Sequence, residues 1–204
     1  MAHHNTIFHQ LLRFLPRHEF EQVAKHHHVG QKFRKTSRWA QFIALAFGQL
    51  SGRQSLRDIV LNMKAQVHSL YHLGSDPIAR SSFARLNEQQ PYTLYEALFS
   101  KLYTRCKGLA PGHRFRFKNK LYSIDSSLID LSLSIFPWAH FCKGKAAMKL
   151  HVGVDHSGYL PAFATITHGH VSDLDVAKTL SFSAGSIVVC DRGYLTEKMG
   201  QIYL

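Results

Sequence analysis

Two aspartates stand at the ends of β-like runs: Asp125 in "LYSIDSSLIDLSL" and Asp191 in "SIVVCDRGYL". Alone, either one reads as a turn or helix cap, because Asp and Gly punctuate loops everywhere. Together they could do chemistry. Two carboxylates brought side by side repel each other, and each resists ionisation unless a cation sits between them. The fitting cation is Mg²⁺ or Mn²⁺, a hard ion that takes one or two carboxylates and completes its shell with substrate phosphates. Two such ions clamp the attacking and leaving oxygens of an in-line phosphoryl transfer.

The remaining polar residues point less sharply. Asp130 lies an odd number of positions past Asp125, so strand alternation turns it to the other face, in a structural role. Asp155 precedes "HSG" and reads as a hairpin-turn residue, and Glu197 as an acid in the first turn of a helix. The His clusters "HHH" (26–28) and "HGH" (168–170) lack the paired spacing of a zinc site and read as solvated or facing nucleic acid. Lys143, Lys145 and Lys149 follow the aromatic group "FPWAHF"; they form either a solvated face or a set of phosphate contacts. Trp138 reads as a core or hinge anchor. Cys106, Cys142 and Cys190 form no CxxC pair and are expected to be buried free thiols of a reducing compartment.

Composition narrows the partners. Twenty-five Lys and Arg against 13 Asp and Glu give a formal charge of +12. That imbalance favours a polyanion, nucleic acid before membrane, through counterion release. The longest strongly apolar run, Phe42 to Phe47, falls far short of the roughly 20 residues that span a bilayer. The N-terminus has no signal-peptide core, so a soluble, cytoplasmic protein is expected.

The elements that must position these residues fall into two halves. From Thr6 to about Cys106 the apolar residues recur at helical spacing. "TIFHQLLRFLP" is capped by Thr6 and stopped at Pro16; "SRWAQFIALAFGQLSG" is capped by Ser37 and ends at Gly52. "SLRDIVLNMKAQVHSLYHLG" reads as one helix closed by Gly74, "SSFARLN" as a short helix, and "PYTLYEALFSKLYTRC" as a longer one opened by Pro91. A boundary is expected near Pro111. Beyond it, "KLYSIDSSLIDLSL" and "AMKLHVGVD" alternate as strands, and "YLPAFATITHG" is the returning strand of a hairpin. "SDLDVAKTLSFS" reads as a helix capped by Ser172. "SIVVCD" reads as a strand covered on both faces, followed by a helix from Thr196. This order can bring the first and fourth of these strands side by side in a mixed sheet, with Asp125 beside Asp191.

The stretches "LYSIDSSLIDLSLSIFPWAHFCKGKAAMKLH", "PAFATITHGHVSDLDVAK" and "SIVVCDRGY" resemble the DDE transposases of the insertion-sequence-four family, and residues 1 to about 110 resemble that family's helical N-terminal region. The resemblance implies an α+β chain: a helical, DNA-binding domain over 1–110, then the first part of a ribonuclease-H-like catalytic domain over 118–204. It implies that Asp125 and Asp191 are the first two metal-binding catalytic carboxylates, with Mg²⁺ or Mn²⁺ as cofactor. Water then attacks a phosphodiester at the element end, and the freed 3′-hydroxyl attacks target DNA. The implied partners are double-stranded DNA and a second subunit on paired ends, in a bacterial cytoplasm at the nucleoid, with no membrane. Lys143, Lys145, Lys149 and Arg192 are expected to contact DNA, as are Arg80 and Arg85 of "RSSFARLN". The family's third acid, a Glu on a later helix, falls beyond Leu204. The reading is therefore of a fragment inactive on its own. The alternatives are a truncated DNA-binding protein and a ribonuclease-H-like nuclease.

Overall fold

The computed structural model describes residues 6–30, 36–132, 134, 139–142 and 145–194. They form two compact units, Met1–Leu102 and Tyr103–Leu204. The architecture is α+β, a helical region followed by a mixed sheet. The division falls inside a long helix, whereas the expected boundary near Pro111 lies just past that helix's end at Leu109.

The helical unit runs α1 (Ile7–Leu12), α2 (Arg17–Ala24), α3 (Arg38–Leu50), α4 (Leu56–Ala65), α5 (Val67–His72), α6 (Arg80–Gln89) and the start of α7 (Thr93–Leu109). Hydroxyls at Thr6, Ser37 and Ser55 accept from the backbone N–H three residues on, satisfying donors that open helix ends leave bare. Two features differ from expectation. α2 was not expected, since "RHEFEQVA" buries only Phe20 and Ala24. The expected helix from Leu56 is broken at Gln66, whose backbone leaves the helical region at φ −115° and ψ 29°. The core gathers Phe20, Trp39, Ile43, Met63, Phe83 and Leu94. Phe20 meets Trp39 edge-on at 5.1 Å, and the indole N–H donates to the Leu73 carbonyl at 2.9 Å. A buried aromatic with a satisfied polar tip fixes its neighbours more tightly than an aliphatic would.

The second unit is built on β1 (Leu121–Leu131), β2 (His140–Cys142), β3 (Lys145–Asp155), β4 (Leu160–His168), α8 (Asp173–Ala177) and β5 (Ile187–Cys190). β1 lies between β3, antiparallel, and β5, parallel. β2 and β4 share the other edge of β3. The register assigns faces. Ile124 opposes Gly153 and Ser126 opposes His151, on one side; Asp125 opposes Val152 and Ser127 opposes Leu150, on the other.

The first side is closed. Ile124, Ala177 and Tyr194 form a core there, packed by Phe163, Leu180, Phe182, Val188 and Cys190. Gly153 is required at this point: a Cβ there would stand 2.1 Å from the Phe163 ring. The other side is open, with Ile166 61% and Val189 55% exposed. Two expectations are thereby corrected. β5 is not covered on both faces: Val188 and Cys190 are half-buried while Ile187 and Val189 are exposed. And Cys106 is exposed rather than buried. Among the described residues, no helix is long and apolar enough to cross a membrane.

Candidate active site

Parallel pairing of β1 and β5 runs from Leu121↔Ile187 to Ile124↔Cys190. Asp125 and Asp191 each follow the last paired residue of their strand, so the β1–β5 pairing carries both acids to the same end of the sheet. Both are exposed. Each carboxylate is braced by a neighbouring backbone N–H: Ser126 donates to Asp125 at 2.8 Å and Arg192 to Asp191 at 2.6 Å. One oxygen of each is held in this way. Among the described residues the second oxygen, Oδ2, has no hydrogen-bond partner. Two exposed carboxylates at the same end of paired strands suit a hard divalent cation. Among the described residues, no group of three His, Cys, Asp or Glu gathers to hold a metal.

Directly behind this pair, the closed face carries a polar network that sequence reasoning missed. His151 is 0% exposed. Its Nδ1 lies 3.0 Å from the Tyr194 hydroxyl and its Nε2 3.0 Å from the Thr167 hydroxyl. Thr167 donates onward to the His168 carbonyl at 3.3 Å. It is therefore placed to accept from Nε2–H, while Nδ1 faces the Tyr194 hydroxyl. Burial pushes the His151 imidazole below its ordinary 6.5; Asp173 opposes that shift and Lys149 adds to it. Burial likewise pushes the Tyr194 phenol up.

Asp173 links this network to β1. It accepts from Ser126 Oγ at 3.0 Å and from Lys149 Nζ at 3.2 Å, and lies 3.6 Å from His151. A Cβ on Gly193 would come within 3.0 Å of the same carboxylate. The turn after Asp191, Arg192–Tyr194, is a single 3₁₀ turn closed by Tyr194 N–H donating to the Asp191 carbonyl at 3.0 Å. The turn is thus held against the closed face by the Tyr194–His151 contact. Asp173 sits in the first turn of α8, where an acid also favours the helix dipole. The signal that could have found it was parity: Lys149 and His151 share a face with Ser126.

The other expected residues scatter. Lys149 spends its ammonium on Asp173 and on the Val171 carbonyl at 3.0 Å, so it faces the closed side and not the acid pair. Arg192 is exposed beside Asp191. Arg80 and Arg85 are exposed on α6. Arg80 lines a groove of about 520 Å³ with Ser55, Leu56, Arg57, Ser81 and Ala84, where the first turns of α4 and α6 meet. Lys143, Trp138, Glu197 and the helix from Thr196 lie outside the described residues, as does the side chain of Lys145. Asp130 is exposed and has the opposite parity to Asp125. Asp155 serves the hairpin turn, accepting from Ser157 N–H at 2.8 Å, and also pairs with Lys120 at 3.6 Å.

Residues 116–203 match the family described as Transposase DDE domain, and residues 3–76 match a domain of unknown function, DUF4372. The chain is also similar to the probable transposase for insertion sequence element IS5377 of Geobacillus stearothermophilus, 27% identical over 114 residues. That match covers 56% of this chain and 30% of the relative.

Proposed function

We propose that in the C-terminal unit, which matches the Transposase DDE domain family, Asp125 and Asp191 are the first two metal-holding carboxylates of a DNA strand-cleavage and strand-transfer centre. The observation that carries this reading is their placement at the same end of the sheet, exposed, one residue past the last paired positions of two parallel strands. Bound there, Mg²⁺ or Mn²⁺ would supply the electrostatic clamp on the attacking and leaving oxygens of a phosphodiester. The chain's own residues orient the acids. Backbone N–H groups of Ser126 and Arg192 fix one oxygen of each, and the Tyr194–His151 contact holds the turn that follows Asp191. Arg192, exposed beside the pair, is suited to a DNA phosphate.

The helical unit binds duplex DNA in this reading, with Arg80 and Arg57 in the α4–α6 groove as phosphate contacts. Element ends as substrate, a second subunit on paired ends, and the narrower insertion-sequence-four family complete the proposal.

Iron substitution tests the centre without relying on turnover. Fe²⁺ with ascorbate and peroxide cuts a backbone near its binding site. The chain is expected to break close to residues 125 and 191, and Mg²⁺ is expected to protect it. Cuts confined to the His cluster at 26–28 would overturn the assignment.

A further inference from the structure

Away from the acid pair, the second unit carries a cluster of exposed aromatic rings set among basic side chains. In "HRFRFKNK" the Phe115 and Phe117 rings lie nearly parallel, 8° apart in plane with centroids at 5.5 Å. His113 flanks both, at 5.5 and 5.1 Å. Across the β3–β4 hairpin, His156 meets Phe115 at 6.2 Å and Tyr159 at 5.4 Å. The cluster is preorganised. Phe115 N–H donates to His113 Nδ1 at 3.3 Å, which leaves Nε2–H to donate to the Asn119 carbonyl at 2.6 Å. His156 bonds the Ser123 hydroxyl at 3.1 Å.

Two of these rings are not core residues. Phe115 is 51% and Tyr159 71% exposed. Tyr159 also holds a left-handed backbone at φ 54°, a conformation that strains a non-glycine residue. A bulky aromatic is thus kept, at a cost in stability, where a glycine or asparagine would fit the hairpin better. Arg114, Arg116 and Lys118 are exposed on the same segment. No carboxylate pairs with any of them among the described residues.

We propose that Phe115 and Tyr159, with Arg114, Arg116 and Lys118, form a stacking surface for unpaired nucleotides of single-stranded DNA. Exposed π-faces interleaved with cations are what splayed bases on a phosphate chain require. A duplex buries its base faces and could use only the cations. The proposal deepens the reading of the chain as a DNA-acting protein but does not depend on the acid pair.

The test is fluorescence anisotropy of the whole chain with a labelled oligothymidylate of about 15 nucleotides, enough for one site of this kind. A mixed-sequence duplex of equal length serves as the second probe. Phe115→Ala and Tyr159→Ala are each expected to weaken single-strand binding about five- to hundredfold and to leave duplex binding unchanged. Phe115→Trp should keep it. Tyr159→Gly should raise thermal stability by relieving the backbone while weakening single-strand binding. Arg114→Gln and Arg116→Gln should each lower the single-strand salt slope by about 0.7. Wild-type single-strand affinity in both alanine variants would overturn the proposal, and so would an equal loss on both probes. Either result leaves duplex binding, and with it the proposed function, standing on its own test.

Discussion

The two faces of the β1–β3–β5 sheet differ in what they bury and in what they leave free. On the closed face, Ser126, Lys149, His151, Thr167, Asp173 and Tyr194 satisfy one another, and Ile124 and Ala177 pack beside them. On the open face, Asp125 is exposed together with apolar residues such as Val189 and Ile166, and Asp191 is exposed just past the end of β5. The usual expectation, polar out and apolar in, is reversed along β3: His151 and Asp155 are buried, while Val152 and Leu150 are only half-buried. Burying polar groups is tolerable when each has a partner. The closed face meets that condition and so becomes a rigid backing for the acids in front.

The largest effects should therefore come from the closed face. Gly153→Val drives a side chain into the Phe163 ring. His151→Ala leaves the Tyr194 and Thr167 hydroxyls without their partner. Each is expected to cost about 2–4 kcal/mol in urea unfolding followed by circular dichroism. A loss below about 0.5 kcal/mol for both would mean that this face is not packed as described.

The same network predicts a pH dependence. The unfolded chain takes up a proton at His151 near the ordinary 6.5, whereas the folded chain resists it. The contribution is therefore present above 6.5 and is lost as the pH falls below it toward the lowered folded value. His151→Gln should flatten that part of the stability profile. An unchanged slope would show that another group titrates.

Smaller effects sharpen the contrast. Ser172 caps α8, accepting from Asp175 N–H at 3.2 Å, and holds Asp173 in place. Ser172→Ala should cost about 1 kcal/mol. Val189→Ser, on the open face, should change the stability of this chain by no more than about 0.5 kcal/mol. A cost as large as that of His151→Ala would contradict the openness of that face.

The sequence made some of this legible, and the reasons are local. Thr6, Ser37 and Ser172 announce helix starts because a hydroxyl three residues before a free N–H is a short-range device. The pairing of β1 with β5, each leading into one of the two aspartates, was readable because strand order allows the first and last of these strands to lie together. What escaped depended on long-range packing. Nothing local in "RHEFEQVA" says that Phe20 will seat against Trp39. Nothing in the four residues "IVVC" tells whether both faces are covered. Asp173 becomes a structural hub only once α8 lies over β1 and β3.

The central claim is that the two exposed carboxylates together hold a divalent ion. Titration of free Mn²⁺ by electron paramagnetic resonance tests it most directly, with each unfolded control checked by circular dichroism. Wild-type chain and Asp130→Asn should remove the free-ion signal alike, while Asp125→Asn and Asp191→Asn should each lose most of that binding. Undiminished Mn²⁺ uptake by both Asp125→Asn and Asp191→Asn would contradict the account.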